Sequence, residues 1–278
     1  MSENTMAPVA IDPDAWVRSQ LRAASAQRLR HGLSVWVLRL VVIGGALFLW
    51  QSLVNARVLD PFVVSSPQAV GAFLLENLGT GKFWTDVQAT VLATLIGFVL
   101  ASIAGVVAAF VLAQSKHLHD VVDPILTFFN SMPRVAFAPL FVVWFGLGIT
   151  SKIVLAFSLC FFIVLSGALV GLTQVDSDLN TITRQLGANR RQHFVKLVLP
   201  NALPSIAASL RLALIYGFLA VVVGEMIGSS SGLGQQIAYY SGVLRMDAVF
   251  GILLVLGVLV SAAVALMRAV ENYFLRWQ

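Results

Sequence analysis

One cysteine, Cys160, is all the thiol this chain has, and it sits inside an apolar run. That excludes an intramolecular disulfide framework and a cysteine-based zinc cluster, and leaves a small hydrophobe. Charge is scarce as well. Only 11% of the 278 residues are Asp, Glu, Lys or Arg, where a soluble domain carries about 25%. No GxxxxGK[ST] phosphate loop occurs, so ATP has no site of that kind here. HExxH is missing too, and no nucleophile, base and oxyanion set converges on a catalytic site. Enzyme chemistry has no foothold.

What is present is hydrophobic. Apolar residues make up 58% of the chain, and the mean hydropathy is +0.87. A chain of this length has room for roughly five to seven spans of about 20 residues, which makes it a polytopic membrane protein. The net charge of +5, from 18 Lys and Arg against 13 Asp and Glu, suits basic loops at a cytoplasmic membrane face. It does not form the basic folded surface that a nucleic acid needs.

The apolar runs predict an all-α bundle of six transmembrane helices, at about 35–53, 89–113, 121–147, 153–172, 205–227 and 249–267. Residues 1–34 are expected to be a cytoplasmic N-terminal extension with an amphipathic segment around 16–29. They are too long and too mixed in charge for a signal-peptide start. Residues 35–278 form the transmembrane domain. Gly97 and Gly105 in the second span, and the Gly167/Gly171 pair in the fourth, permit close helix contact. A short helix over 67–78 is expected at the outer surface. His117 and His119 share a solvated turn, which is a weak metal signal and reads as a polar loop.

Basic residues test the topology. Arg18, Arg22, Arg28 and Arg30 precede the first span, Lys116 follows the second, Arg184 to Lys196 follow the fourth, and Arg268 and Arg276 follow the sixth. Six spans with both termini cytoplasmic put all of these on one side. Lys152 alone falls on the other side without an acidic neighbour.

The third run holds Pro124, Pro133 and Pro139. Proline removes a helix hydrogen bond, so a broken helix is expected there, near the protein interior, where freed backbone can be satisfied. Arg134 lies between two of these prolines. It lines the inner mouth of a translocation path or reaches to anionic headgroups, and either reading ranks above a contact with substrate charge. In the fifth span Arg211 and Glu225 are fourteen positions apart, about 21 Å at 1.5 Å per residue, and cannot pair within that helix. Glu225 has two readings, a path or gate residue and a hydrogen-bonding partner of a neighbouring loop. Pro133, Arg134, Pro139, Arg211 and Glu225 are the candidates for a translocation path or gate.

The one long polar region of the second half, 175–204, reads as two short helices outside the bilayer, joined at Gly187 and ending at Pro200. Leu179, Ile182 and Leu186 form an apolar stripe at helical spacing. The run Gln185-Leu186-Gly187-Ala188-Asn189-Arg190, then Phe194, then Leu199-Pro200-Asn201-Ala202-Leu203-Pro204, resembles the cytoplasmic coupling loop of ABC importer permeases. Thr181, Ile182 and Thr183 stand where that loop usually has Glu-Ala-Ala, with Asp178 as the nearby acidic substitute. Pro133-Arg134-Val135-Ala136-Phe137-Ala138-Pro139 with Trp144-Phe145-Gly146 is similar to the nitrate/sulfonate/taurine-type subgroup. Gly224-Glu225-Met226-Ile227-Gly228 with Ser231-Gly232-Leu233-Gly234 is similar to the same subgroup.

The resemblance implies the type I (MetI-like) importer permease fold, in a bacterial cell inner membrane. It implies a second permease copy in a homodimer, a dimer of separate ATPase subunits, and an extracytoplasmic binding protein that delivers a small solute such as nitrate or a sulfonate. It implies no cofactor on this chain, with ATP and Mg on the partner ATPase. Asp178, Ile182, Leu186, Gly187, Ala188, Arg190, Phe194, Pro200 and Pro204 would be the residues coupled to that ATPase, with the apolar stripe staying joined to the membrane helices. Two other classes compete with an importer. A secondary transporter would show inverted repeats or intramembrane ion ligands, which the sequence lacks. A non-transporting platform would recruit partners without ATPase stimulation by substrate.

Overall fold

The computed structural model describes residues 13–174 and 177–274, with side chains from Ser34 onward apart from positions 177, 178, 180, 184, 190 and 274. All its regular structure is helical: α1 Pro13–Asn55, α2 Pro61–Val64, α3 Pro67–Asn77, α4 Gly81–Ala113, α5 Lys116–Ser131, a 3₁₀ turn Arg134–Phe137, α6 Ala138–Phe145, α7 Ile149–Thr173, α8 Ser177–Gln185, α9 Arg190–His193, a π turn Phe194–Val198, α10 Leu199–Ile227, α11 Leu233–Gly242 and α12 Met246–Phe274. The chain divides into two compact units at Pro61.

The first unit is the helix α1. The expected extension and first span are not separated by a loop but run on as one helix of 43 residues. Its stretch Ser34–Asn55 is apolar enough to cross a bilayer, and Arg39 lies 5.2 Å from the Trp36 ring.

The second unit is built on α4, α7 and α10. Alanine and glycine recur at every fourth position of α4, as Ala93, Gly97, Ala101, Gly105 and Ala109, and all five are buried. Lipid offers no hydrophobic drive between helices, so close backbone approach over small residues holds them together. A Cβ on Gly97 would meet Ala156 Cβ at 2.7 Å, and one on Gly105 would meet the Phe161 carbonyl oxygen at 3.0 Å. The Gly167/Gly171 pair of α7 does the same against α10, where a Cβ on Gly167 would lie 2.2 Å from Ser209 Cβ. Ser205 Oγ donates to the Gly167 carbonyl at 2.9 Å, fixing that contact.

Spans beyond α1 match Gly81–Ala113, Ile149–Thr173, Arg191–Ile227 and Met246–Tyr273, and α5 with α6 makes a sixth where the bent pair counts as one. The proline-rich run does break: α5 and the 134–145 segment meet at 72°. The break is not in the interior of this chain, as the sequence suggested. Pro133 and Pro139 are exposed, and Ala138 is the buried residue of α6. Freed backbone at membrane depth needs a protein or watery neighbour.

The helix after Gly187 does not end at Pro200, as the sequence suggests, but continues into the fifth span, whose apolar helix covers 37 residues. Pro200 has no N–H for an i→i−4 bond, and the π turn just before it, closed by Leu199 N donating to the Phe194 carbonyl, absorbs the mismatch.

The expected short helix over 67–78 forms as α3. Ser66 caps it, its Oγ accepting from Ala69 N at 3.2 Å. Val70 and Phe73 are buried, and Phe73 fills the hollow left by Gly251 of α12. Phe73 also meets the Tyr240 ring edge-on at 5.7 Å.

Candidate functional site

Three places in the second unit carry polar chemistry. The first is the segment between α7 and α10. A left-handed residue ends α8, Gly187 with φ of 75°, and Ala188 N donates to the Thr183 carbonyl at 3.3 Å. That is the long bond of a Schellman termination, and it favours glycine at this position. The next helix starts on a reciprocal cap: Gln192 N donates to Asn189 Oδ1 at 2.8 Å and Asn189 N to Gln192 Oε1 at 3.0 Å. The Asn-x-x-Gln spacing at 189–192 is visible in the sequence and marks this start.

Leu179, Ile182 and Leu186 are 43%, 50% and 81% exposed. The stripe is therefore not joined to the membrane helices, as expected from the sequence, but stands free of them. Phe194 makes the connection instead, its ring 5.6 Å from Phe110 near the end of α4. The side chains of Asp178 and Arg190 lie outside the described residues. Ala188 is half-buried, and Pro200 and Pro204 lie in the first turns of α10.

The second place is a closed polar cluster at the opposite end of the bundle. Lys152, near the start of α7, donates from Nζ to Glu225 Oε1 at 3.0 Å and to the Ser231 carbonyl at 2.6 Å. Thr90 Oγ1 lies 2.9 Å from Glu225 Oε2, and Gly234 N donates to that same carboxylate oxygen at 2.9 Å. Leu233 N donates to Thr90 Oγ1 at 2.9 Å and Gly232 N to Asp86 Oδ1 at 2.7 Å. Gln236 completes the set by donating to Asp86 Oδ2.

Every member is paired, and Glu225 is 1% exposed. Of the two readings for Glu225, contact with a neighbouring loop is what the structure displays. Lys152, the odd cation of the topology count, is buried beside its counter-charge. Gly232, with φ of 115°, could not be replaced here, since a Cβ would fall 2.0 Å from Glu225 Oε1. The cluster ties α4, α7 and α10 to the 228–234 turn and so fixes where α11 enters. Nearby, Arg245 donates to Asp247 Oδ2 at 2.7 Å, and that bond raises the Arg245 pKa above its ordinary value. The cation, over the Phe73 and Tyr240 rings at 5.9 and 5.6 Å, holds the corner into α12. Arg211, expected on a path, instead pairs with Glu271 of α12 at 3.3 Å.

The third place is the break itself. Arg134 donates to the Phe129 carbonyl at 3.1 Å and to Asn130 Oδ1 at 2.7 Å, and its guanidinium carbon lies 4.0 Å from the Phe162 ring centre. Two cavities flank it, of about 240 and 340 Å³. Pro133 and Pro139 bracket this turn. Among the described residues no group of three or more His, Cys, Asp or Glu could hold a metal ion.

Comparison with known proteins gives a consistent result. Residues 101–277 match the family described as binding-protein-dependent transport system inner membrane component. A probable ABC transporter permease of Haemophilus influenzae is 31% identical over 78% of this chain and 88% of its own. A putative aliphatic sulfonates transport permease of Bacillus subtilis is 29% identical over 90% of each chain. Among solved structures, the methionine ABC transporter MetNI in inward facing conformations superposes with a TM-score of 0.58 at 22% identity. It covers 72% of this chain and 97% of that one, which is a likeness of fold.

Proposed function

Because this chain belongs to the binding-protein-dependent transport system inner membrane components, the permeases of ABC importers, we propose that its segment 175–204 is gripped by a separate ATPase dimer that drives uptake. The chain itself is a multi-pass membrane permease subunit without an ATPase domain, and it moves a small solute received from a binding protein. In our reading both termini and the segment 175–204 face the cytoplasm of a bacterial cell, and the charge cluster around Glu225 lies at the outer end. ATP and Mg sit on the partner, not on this chain.

One observation carries the reading. Leu179, Ile182 and Leu186 present an apolar stripe on α8 that the described residues leave exposed, next to a tight turn and a helix that runs unbroken into a span. Such a stripe suits a groove on another protein. Force applied there reaches α4 through Phe194 and Phe110 and reaches α10 along the backbone. The exposed break at Pro133 supports a second permease copy beside α5 and α6, with Pro133, Arg134 and Pro139 on the shared path. Arg211 and Glu225 act at the two ends of α10 by fixing its neighbours. In this reading the solute is nitrate, a sulfonate such as taurine, or a similar small molecule, and the name of the Bacillus relative supports a sulfonate.

Accessibility labelling tests the topology on which this depends. A cysteine introduced at Gln185 should react with a membrane-impermeant maleimide only from the cytoplasmic side, and one at Lys82 only from the other. The native Cys160 is buried and leaves little background. Labelling of position 185 from outside would end the importer reading.

A further inference from the structure

Arg134 has no carboxylate partner within ion-pair distance among the described residues, while the other interior cations, Lys152 and Arg211, do. Its depth makes that unusual. Ser158 and Phe162, which line the same cleft, lie about 14 and 20 Å along α7 from its first residue at 1.5 Å per residue. In a hydrocarbon layer about 30 Å thick that is the middle. An ionised group at such a depth is costly unless it pairs or serves a site.

The surroundings are shaped for a ligand. Phe129, Phe137, Phe141, Trp144 and Phe162 wall a wholly apolar cavity of about 240 Å³ beside Arg134. A second cavity of about 340 Å³, also lined by Arg134 and partly polar, reaches Leu212 and Tyr216 of α10. Two N–H groups at one terminal nitrogen are directed to Phe129 and Asn130, and a guanidinium has five donors in all. Donors therefore remain for an incoming oxyanion, which arginine binds with paired hydrogen bonds.

We propose that Arg134 and this aromatic cleft form an intramembrane binding site for a small organic anion with an apolar or aromatic body. The guanidinium takes the anionic head, and the rings take the body. The cation–π contact with Phe162 holds the guanidinium in place before the ligand arrives. The proposal rests on the importer reading only in treating the ligand as a transported solute. Binding itself needs no motor.

The test uses the full chain in lipid nanodiscs with benzenesulfonate as probe, read by the fluorescence of Trp144. Benzenesulfonate should change the emission saturably, and Trp144→Phe should remove most of that change. Neutral benzenesulfonamide, of nearly the same shape, should bind about ten-fold or more weaker, as should the sulfonate to Arg134→Gln. Equal affinity for sulfonate and sulfonamide in the unaltered chain overturns the proposal, and that comparison needs no variant to fold. Sulfonate binding without any ATPase copurifying with the chain would keep the site and reject the importer.

Discussion

The Lys152 ammonium and the Glu225 carboxylate stand 3.0 Å apart across 73 residues of chain, and both side chains are almost free of solvent, at 3% and 0%. A buried charge without its partner is far worse than no charge at all. Lys152→Met alone should therefore destabilise the protein by about 3–5 kcal/mol, whereas Lys152→Met with Glu225→Leu should recover most of that loss. Thermal unfolding in one detergent, over the full double-mutant cycle, measures the coupling. A double variant no better than the single one would show that the pair is not the main link.

The exposed stripe of α8 leads to a prediction with the opposite signature. Ile182→Asp and Leu186→Asp should leave the melting temperature of the isolated chain within about 1 °C, since surface changes are usually within about 0.5 kcal/mol. Capture of the ATPase should fall by about ten-fold or more, as expected for an anchor at the centre of an interface. Pull-down against increasing ATPase concentration reads both affinities. Unchanged capture by both variants would move the interface elsewhere.

Gly187 has φ of 75° in open space, where a side chain meets no atom. The cost of Gly187→Val is therefore conformational, about 1–2 kcal/mol for an L-residue in the left-handed region. That is enough to redirect the chain between α8 and α9 without unfolding the spans. ATP hydrolysis should continue while solute uptake into vesicles is lost. Normal uptake by this variant would remove the coupling role.

At Gly167 the constraint is space instead. A Cβ there would fall 2.2 Å from Ser209 Cβ, so Gly167→Ala should force α7 and α10 apart and cost about 1–3 kcal/mol. Ser209→Gly in the same chain should return part of it. Melting curves of the three variants decide the matter.

The apolar runs made the spans legible, because hydrocarbon thickness sets helix length whatever the tertiary contacts are. The proline trio announced the break, and Gly187 announced the turn between α8 and α9. Other features depend on partners distant in sequence. Nothing local joins Lys152 to Glu225, or Thr90 and Asp86 to the amides of 232–234, so charge counting left Lys152 as an anomaly. Periodicity marks the stripe of α8 as apolar, but it tells which face is apolar and not what covers it. Pro200 looked like a stop because a proline ordinarily is one. The π turn before it, invisible to propensity, lets the helix pass.

The polar cluster around Glu225 rivets one end of three spans to a single loop, and the contacts at the far end are apolar, among them Leu112, Leu165, Leu172 and Ile206. Apolar contacts slide more readily than a fully satisfied ionic knot. Displacement imposed near Phe194 must then grow with distance from the knot, as the free end of a pair of tongs travels farthest. If the segment 175–204 is the driven end, as proposed, a shift of a few ångströms there leaves the riveted ends almost at rest, and the opening is widest on the side where the work is done.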